Sequence, residues 1–199
     1  MRKMMFNDLC GLTQLVLEGR KTQTRRAVPD RLMRKWDRSP QSITGPDKRK
    51  FLLDSSPFRA GDVVAVAQSY AAILDDLENP KVGHWDSASA KRVMYTGMFG
   101  RPGFANKMFV SADLMPHRIR VTGVRVESIR DISEADCLRE GIWKWNNVGF
   151  EGVTYWYPNL CNSTFRTARA AYESLIRRIG CGWLWDENGL VYVYDFELV

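Results

Sequence analysis

Leu17-Glu18-Gly19-Arg20-Lys21-Thr22-Gln23-Thr24-Arg25-Arg26 is the stretch on which the reading of the fold turns. Upstream of it, Leu9, Leu12, Leu15 and Val16 fall on one helical face. Asp8 is placed to cap that helix, which is expected to run to about Glu18. Gly19 follows as the left-handed residue that ends it. Arg20 to Arg26 then leaves the helix as an extended segment, because Thr22 and Thr24 favour strand. A basic strand emerging directly from a helix end is the first candidate for function.

Working outward, Met4–Phe6 is expected as a short first strand, and residues 29–57, rich in Pro, Ser and charge, as a long mobile loop. Phe58-Arg59-Ala60-Gly61-Asp62 reads as a turn into a short buried strand, Val63–Ala67. Residues 71–112 show no clear periodicity and read as an insertion. His117–Ile129 is the clearest strand, with Gly123 breaking its alternation as a bulge would. Ser133-Glu134-Ala135-Asp136 resembles a capping box for a short helix closed by Gly141, and residues 142–160 read as an aromatic-rich loop. A second amphipathic helix is expected over Ser163–Ile179, and a last strand over Leu190–Leu198.

No regular βαβ alternation, Gly-rich phosphate loop or G-x-S-x-G is present, which disfavours a parallel Rossmann sheet. The expectation is one mixed α+β domain over residues 1–199. Its centre is a small, mostly antiparallel or mixed barrel with flanking helices and insertions at about 29–57, 71–112 and 142–162.

The net charge of +6 is unevenly spread: residues 1–60 hold 14 Lys/Arg against 6 Asp/Glu, and the remainder is slightly acidic. Such a concentration suits a phosphate-bearing partner. Cys10, Cys137, Cys161 and Cys181 form no C-x-x-C pair, and His84 and His117 lie far from them, so free thiols, no metal and no cofactor are expected. No run approaches the roughly 20 apolar residues that span a bilayer. The basic start lacks a long apolar core, so a soluble cytoplasmic protein without a signal peptide is expected.

Four stretches taken together resemble one family. They are residues 17–26, Phe58-Arg59-Ala60-Gly61-Asp62-Val63-Val64-Ala65-Val66, residues 119–141, and Val191-Tyr192-Val193-Tyr194-Asp195-Phe196. In that order they resemble the ASCH domain, a PUA-like β-barrel, in its elaborated phage- and prophage-associated form. The resemblance covers about half the chain and leaves the three insertions unexplained. It departs from the family at Ala67-Gln68-Ser69-Tyr70, where a charged pair is usual, and at Met115-Pro116-His117-Arg118-Ile119, where a longer segment is usual.

The resemblance implies binding of RNA, single-stranded nucleic acid or a modified nucleoside in a cleft beside the barrel. One branch hydrolyses the amide of N4-acylated cytidines, and its working groups map onto Lys21, Thr24 and Glu140. In that reading Lys21 is the base, Thr24 or a held water the nucleophile, and Glu140 the proton source. Residues 21 and 24 point to opposite faces of a regular strand, so they converge only if Lys21 sits in the turn before it or a bulge intervenes. The binding alternative uses Arg20, Arg25 and Arg26 on phosphates, with Tyr70 and Trp143 stacking on unpaired bases. A third alternative is a protein-interaction module presenting the aromatic segment 142–157.

Overall fold

A computed structural model of the chain describes residues 1–38, 48–78, 100–146, 152–159 and 164–199. In chain order its main elements are β1 (Lys3–Met4), α1 (Leu12–Leu17), β2 (Gln23–Ala27), α2 (Asp30–Asp37), α3 (Lys48–Asp54), β3 (Val63–Val66) and α4 (Tyr70–Glu78). There follow β4 (Arg118–Ser128), α5 (Glu134–Arg139), β5 (Trp143–Asn146), β6 (Val153–Trp156), α6 (Ala168–Arg178), α7 (Gly182–Asp186) and β7 (Leu190–Leu198).

The fold is mixed α+β. Five strands form one sheet in the order β1-β3-β4-β7-β2, and β5 and β6 form a separate hairpin. The β1–β3 pair is parallel and the other pairs are antiparallel. Among the described residues no ladder joins β2 to β1. The two ends nevertheless approach, since the Arg26 guanidinium on β2 donates to the Met5 carbonyl just past β1. The β4–β7 register shifts between Val121 and Gly123, where the broken alternation predicts a bulge.

Residues opposite one another in an antiparallel ladder share a face. Thr24 and Arg26 therefore lie with Tyr192, Tyr194, Val124 and Val126. The Tyr194 ring meets Phe58 edge-on, and the Tyr192 hydroxyl donates to the Leu52 carbonyl at 2.8 Å. The opposite face carries Gln23 and Arg25, Asp195 and Val193, and Arg125 and Glu127. Half of that face is charged, yet α5 packs on it.

Several expectations are corrected. The 29–57 segment contains α2 and α3, which bury Trp36 and Leu52, while 39–47 lie outside the described residues. In α2 the charged residues conceal a helix anchored by buried Trp36 and by Leu32 and Met33, which pack against the core. The 71–112 segment supplies most of α4 and a short 3₁₀ turn at Lys107–Phe109, with 79–99 outside the described residues. The aromatic segment after Gly141 is the β5–β6 hairpin, not a loop; 147–151 and 160–163 lie outside the described residues. Asp8 does not cap α1, because the chain turns before Gly11, whose left-handed backbone (φ 65°) precedes the first helical residue. Asp8 instead accepts from Thr13 and Lys107. The late helix starts at Ala168 under a Thr167 cap, since Phe165 is drawn into a bridge with Tyr155. The first strand is Lys3–Met4 rather than Met4–Phe6, and α7 carries no sequence expectation. Cys10, Cys137 and Cys181 are free, and Cys161 is outside the described residues. Among the described residues no helix is long and apolar enough to cross a membrane.

Two helix ends are formed as glycine predicts. Gly19 (φ 67°) lets its own N–H reach Val16 O and the Arg20 N–H reach Leu15 O at 3.0 and 2.9 Å. Gly141 (φ 104°) does the same for α5, bonding Leu138 O and passing Ile142 N–H to Cys137 O. A Cβ at Gly19 would meet nothing within 4 Å, whereas one at Gly141 would lie 2.7 Å from Leu15 Cδ1. Gly19→Ala is therefore expected to lose about 1–2 kcal/mol from backbone strain alone. Gly141→Ala should lose about 1–3 kcal/mol more through overpacking. Urea unfolding of the two variants measures both, and equal losses would contradict the packing argument.

Candidate functional site

The end of α1 delivers Lys21 to the end of α5. After Gly19 the chain turns so that the Lys21 N–H bonds Leu15 O at 2.9 Å and the Thr22 N–H bonds Arg139 O at 3.0 Å. Lys21 thus sits in the turn before β2, the arrangement that allows it to converge with Thr24. Its Nζ donates to Glu140 O at 2.7 Å and to Glu140 Oε2 at 2.5 Å. The lysine supplies a charge and a donor to a helix C-terminus, where backbone carbonyls lack partners. It also offsets the unfavourable placement of an acid in that last turn.

Lys21, Thr24 and Glu140 are all buried, at 1%, 5% and 4% exposure, and line one cavity of about 60 Å³ beside β2. Tyr172 from α6 closes it, with Leu175 and Ile176 alongside. Two polar groups there are unoccupied. The Tyr172 hydroxyl has no hydrogen-bond partner. The Thr24 hydroxyl makes no side-chain hydrogen bond among the described residues. Burial pushes the Lys21 ammonium below its ordinary value of 10.5; the Glu140 carboxylate opposes this, while Arg26 and Arg25 push further down. Burial raises the Tyr172 hydroxyl well above 10, and the charge on Glu140 adds to the effect.

The arginines of the motif take different places. Arg25 is buried and fully engaged: Nε and Nη2 bind Glu127 Oε1 at 3.0 and 2.5 Å, and Nη2 also binds Asp136 Oδ2 at 3.0 Å. Its Nη1 binds Gln23 Oε1 at 2.6 Å and Glu140 Oε1 at 3.1 Å. Arg125 and Arg139 extend the lattice to Asp136 and Asp195. Arg26 is turned to Met5. Arg20 alone of the three is exposed, its guanidinium 3.7 Å over the Trp143 ring. Trp143 meets Trp156 at 4.2 Å, and both line a second cavity of about 420 Å³ with Arg20, Lys144 and the 60%-exposed Trp145. Tyr70 is buried in a separate apolar cluster, against the backbone of Gly103, and does not line the Lys21 cavity.

Sequence reasoning missed Gln23, Arg125, Glu127, Asp136, Arg139, Asp195 and Tyr172. A signal did exist, in the period-2 placement of Gln23 and Arg25 on β2 and Arg125 and Glu127 on β4, which marks a polar sheet face. Among the described residues no group of acidic, His or Cys side chains is arranged to hold a metal.

Removing a buried ion while leaving its partners in place is severe. Arg25→Met is expected to destabilise by about 3–5 kcal/mol, and Arg125→Met by less, since Arg125 is 37% exposed. Urea unfolding of the two variants tests the order. Burial pushes the Asp136 carboxyl up, but hydrogen bonds from Arg139 and Arg25 outweigh it and leave the group below its ordinary 3.8. Its stabilising contribution is then full above the unfolded value and lost as pH falls through the lower folded one. The stability gap between wild type and Asp136→Asn should therefore shrink as pH drops below 3.8. A gap independent of pH would show that Asp136 does not carry this dependence. The chain matches no protein-family model, no curated protein and no solved structure.

Proposed function

We propose that the chain is an ASCH-type, PUA-like domain that hydrolyses the amide of an N4-acylated cytidine with Lys21, Thr24 and Glu140. The carrying observation is the meeting of these three residues in one buried cavity, although Lys21 and Glu140 are 119 positions apart. The reach of Arg26 across to Met5 supports a sheet curled towards a barrel.

The chemistry follows from the contacts. The lowered proton affinity of Lys21 favours its neutral amine, which accepts a proton from the Thr24 hydroxyl or from a water held on it. The resulting oxygen nucleophile attacks the acyl carbonyl. A water nucleophile gives the carboxylate directly, whereas attack by Thr24 leaves an acyl ester on its oxygen that a water, deprotonated by Lys21, then hydrolyses. On either route the bond from the acyl carbon to N4 breaks, and the cytosine amine leaves with a proton. That proton returns along the 2.5 Å Lys21–Glu140 hydrogen bond, with Arg25 fixing the other carboxylate oxygen. The Tyr172 hydroxyl, lacking a partner, is available to donate to the developing oxyanion. The cavity has room for a few water-sized groups, which suits the acyl end of the substrate.

A second reading rests on a different observation: Arg20 stacked on Trp143 beside the exposed Trp145 offers a platform for an unpaired base. It supports binding of RNA or single-stranded nucleic acid without catalysis. Arg25 takes no part in it, because its donors are committed within the protein, and Arg26 turns its Nη2 to the Met5 carbonyl.

Purified protein is expected to convert N4-acetylcytidine to cytidine and acetate. Turnover should vanish in Lys21→Ala and fall about 10²-fold or more in Thr24→Val, with folding checked by circular dichroism. Because Lys21 must be neutral, kcat/KM should rise with pH to a plateau whose midpoint lies below 10.5. Absence of turnover across several acylated cytidines would remove the enzymatic reading. Salt-sensitive RNA binding weakened by Trp143→Ala would then favour the second.

A further inference from the structure

A cavity of about 470 Å³ opens where α1 and α4 face each other, outside the Lys21 site. Its volume is that of a small-molecule site. Although the protein carries a net charge of +6, among the described residues no Lys, Arg or His lines this cavity, and Asp8, Glu18, Asp75 and Asp76 do. Asp8 is already neutralised by Lys107 at 2.7 Å. Glu18 accepts only from the uncharged Gln14 amide, and Asp75 has no ion-pair partner among the described residues. Asp76 Oδ2 accepts from Gln68 Nε2 at 2.5 Å and faces His117 Nε2 at 3.3 Å.

Gln68 provides an observation independent of the charge. Its side chain lines the cavity, is 2% exposed, and spends its amide nitrogen on Asp76. That bond fixes the amide orientation and leaves Oε1 buried with no donor. An unmatched buried acceptor costs about 1–3 kcal/mol, which a ligand N–H would recover. The Trp143 indole N–H, also without a partner, lines the same cavity. Leu17 and Ala72 add aliphatic wall.

We infer that this cavity binds an aliphatic polyamine, with an ammonium donating to Gln68 Oε1 and Asp76 and further ammonium groups paired with Asp75 and Glu18. Negative charge comes from two separate elements, which a chain of methylenes bearing several ammonium groups can bridge. A single lysine side chain from another protein presents the same head group but only one charge. The inference is independent of the proposed hydrolysis.

Calorimetric titration of the full chain with spermidine at about 150 mM salt tests it. Saturable binding of one spermidine is expected, weakened about tenfold by each of Glu18→Gln and Asp75→Asn, both exposed and outside the Lys21 cavity. Gln68→Leu should also weaken binding, with an unchanged circular dichroism spectrum. Absence of binding overturns the inference. So does binding that survives Glu18→Gln/Asp75→Asn, or that magnesium chloride abolishes at matched ionic strength, as a loose counterion cloud would. Equal affinity for the monocation Nα-acetyl-lysine amide would assign the cavity to a protein lysine instead.

Discussion

A single buried guanidinium organises this protein. Arg25 projects from β2 into a space where water does not reach it, and a cation there persists only if its donors are matched. Glu127 meets it from β4, and Asp136 and Glu140 from the helix α5 and its end. These contacts press a helix onto a half-charged sheet face that apolar packing alone would not hold. They also set the position of Glu140, and through it the position of Lys21. The site is thus built on the same ion lattice that assembles the domain, and its members cannot be altered independently.

The basic motif illustrates how charge counted along a sequence differs from charge presented to solvent. Lys21 and Arg25 are internal, and Arg26 is spent on a carbonyl beside β1. Only Arg20 remains outside, and it sits over the Trp143 ring. A reading from composition alone would have assigned all four to phosphate. Among the described residues, the cavity between α1 and α4 is lined by carboxylates and by no cation.

What the sequence made legible was local. Glycines at 19 and 141 and the Ser133 cap mark helix ends through backbone geometry that few other residues satisfy, and Gly123 marks the bulge in β4. The three catalytic candidates rested on the resemblance, and the turn after α1 supplied the convergence that strand geometry denied them. The rest was hidden for physical reasons. Helix α2 has five charged residues among its eight, with Leu32, Met33 and Trp36 between them, so its pattern resembles a loop. The β5–β6 hairpin exposes most of β5, leaving no buried alternation to read. The partners of Arg25 come from three separate segments, and nothing in a linear chain announces which acid a buried arginine will meet.

The two glycine-ended helices have a consequence for how such a chain can change. Each delivers one member of the Lys21–Glu140 pair from a helix terminus, and each α-helical residue turns the exit direction by about 100°. Substitutions at exposed positions of α1 or α5 leave that direction intact. Insertion or deletion of even one residue in either helix would swing its terminal side chain away from the other. The spacing from Leu12 to Lys21 and from Ser133 to Glu140 is therefore a quantity that descent must preserve. Homologous chains should vary at the exposed positions of these two helices while holding their lengths fixed.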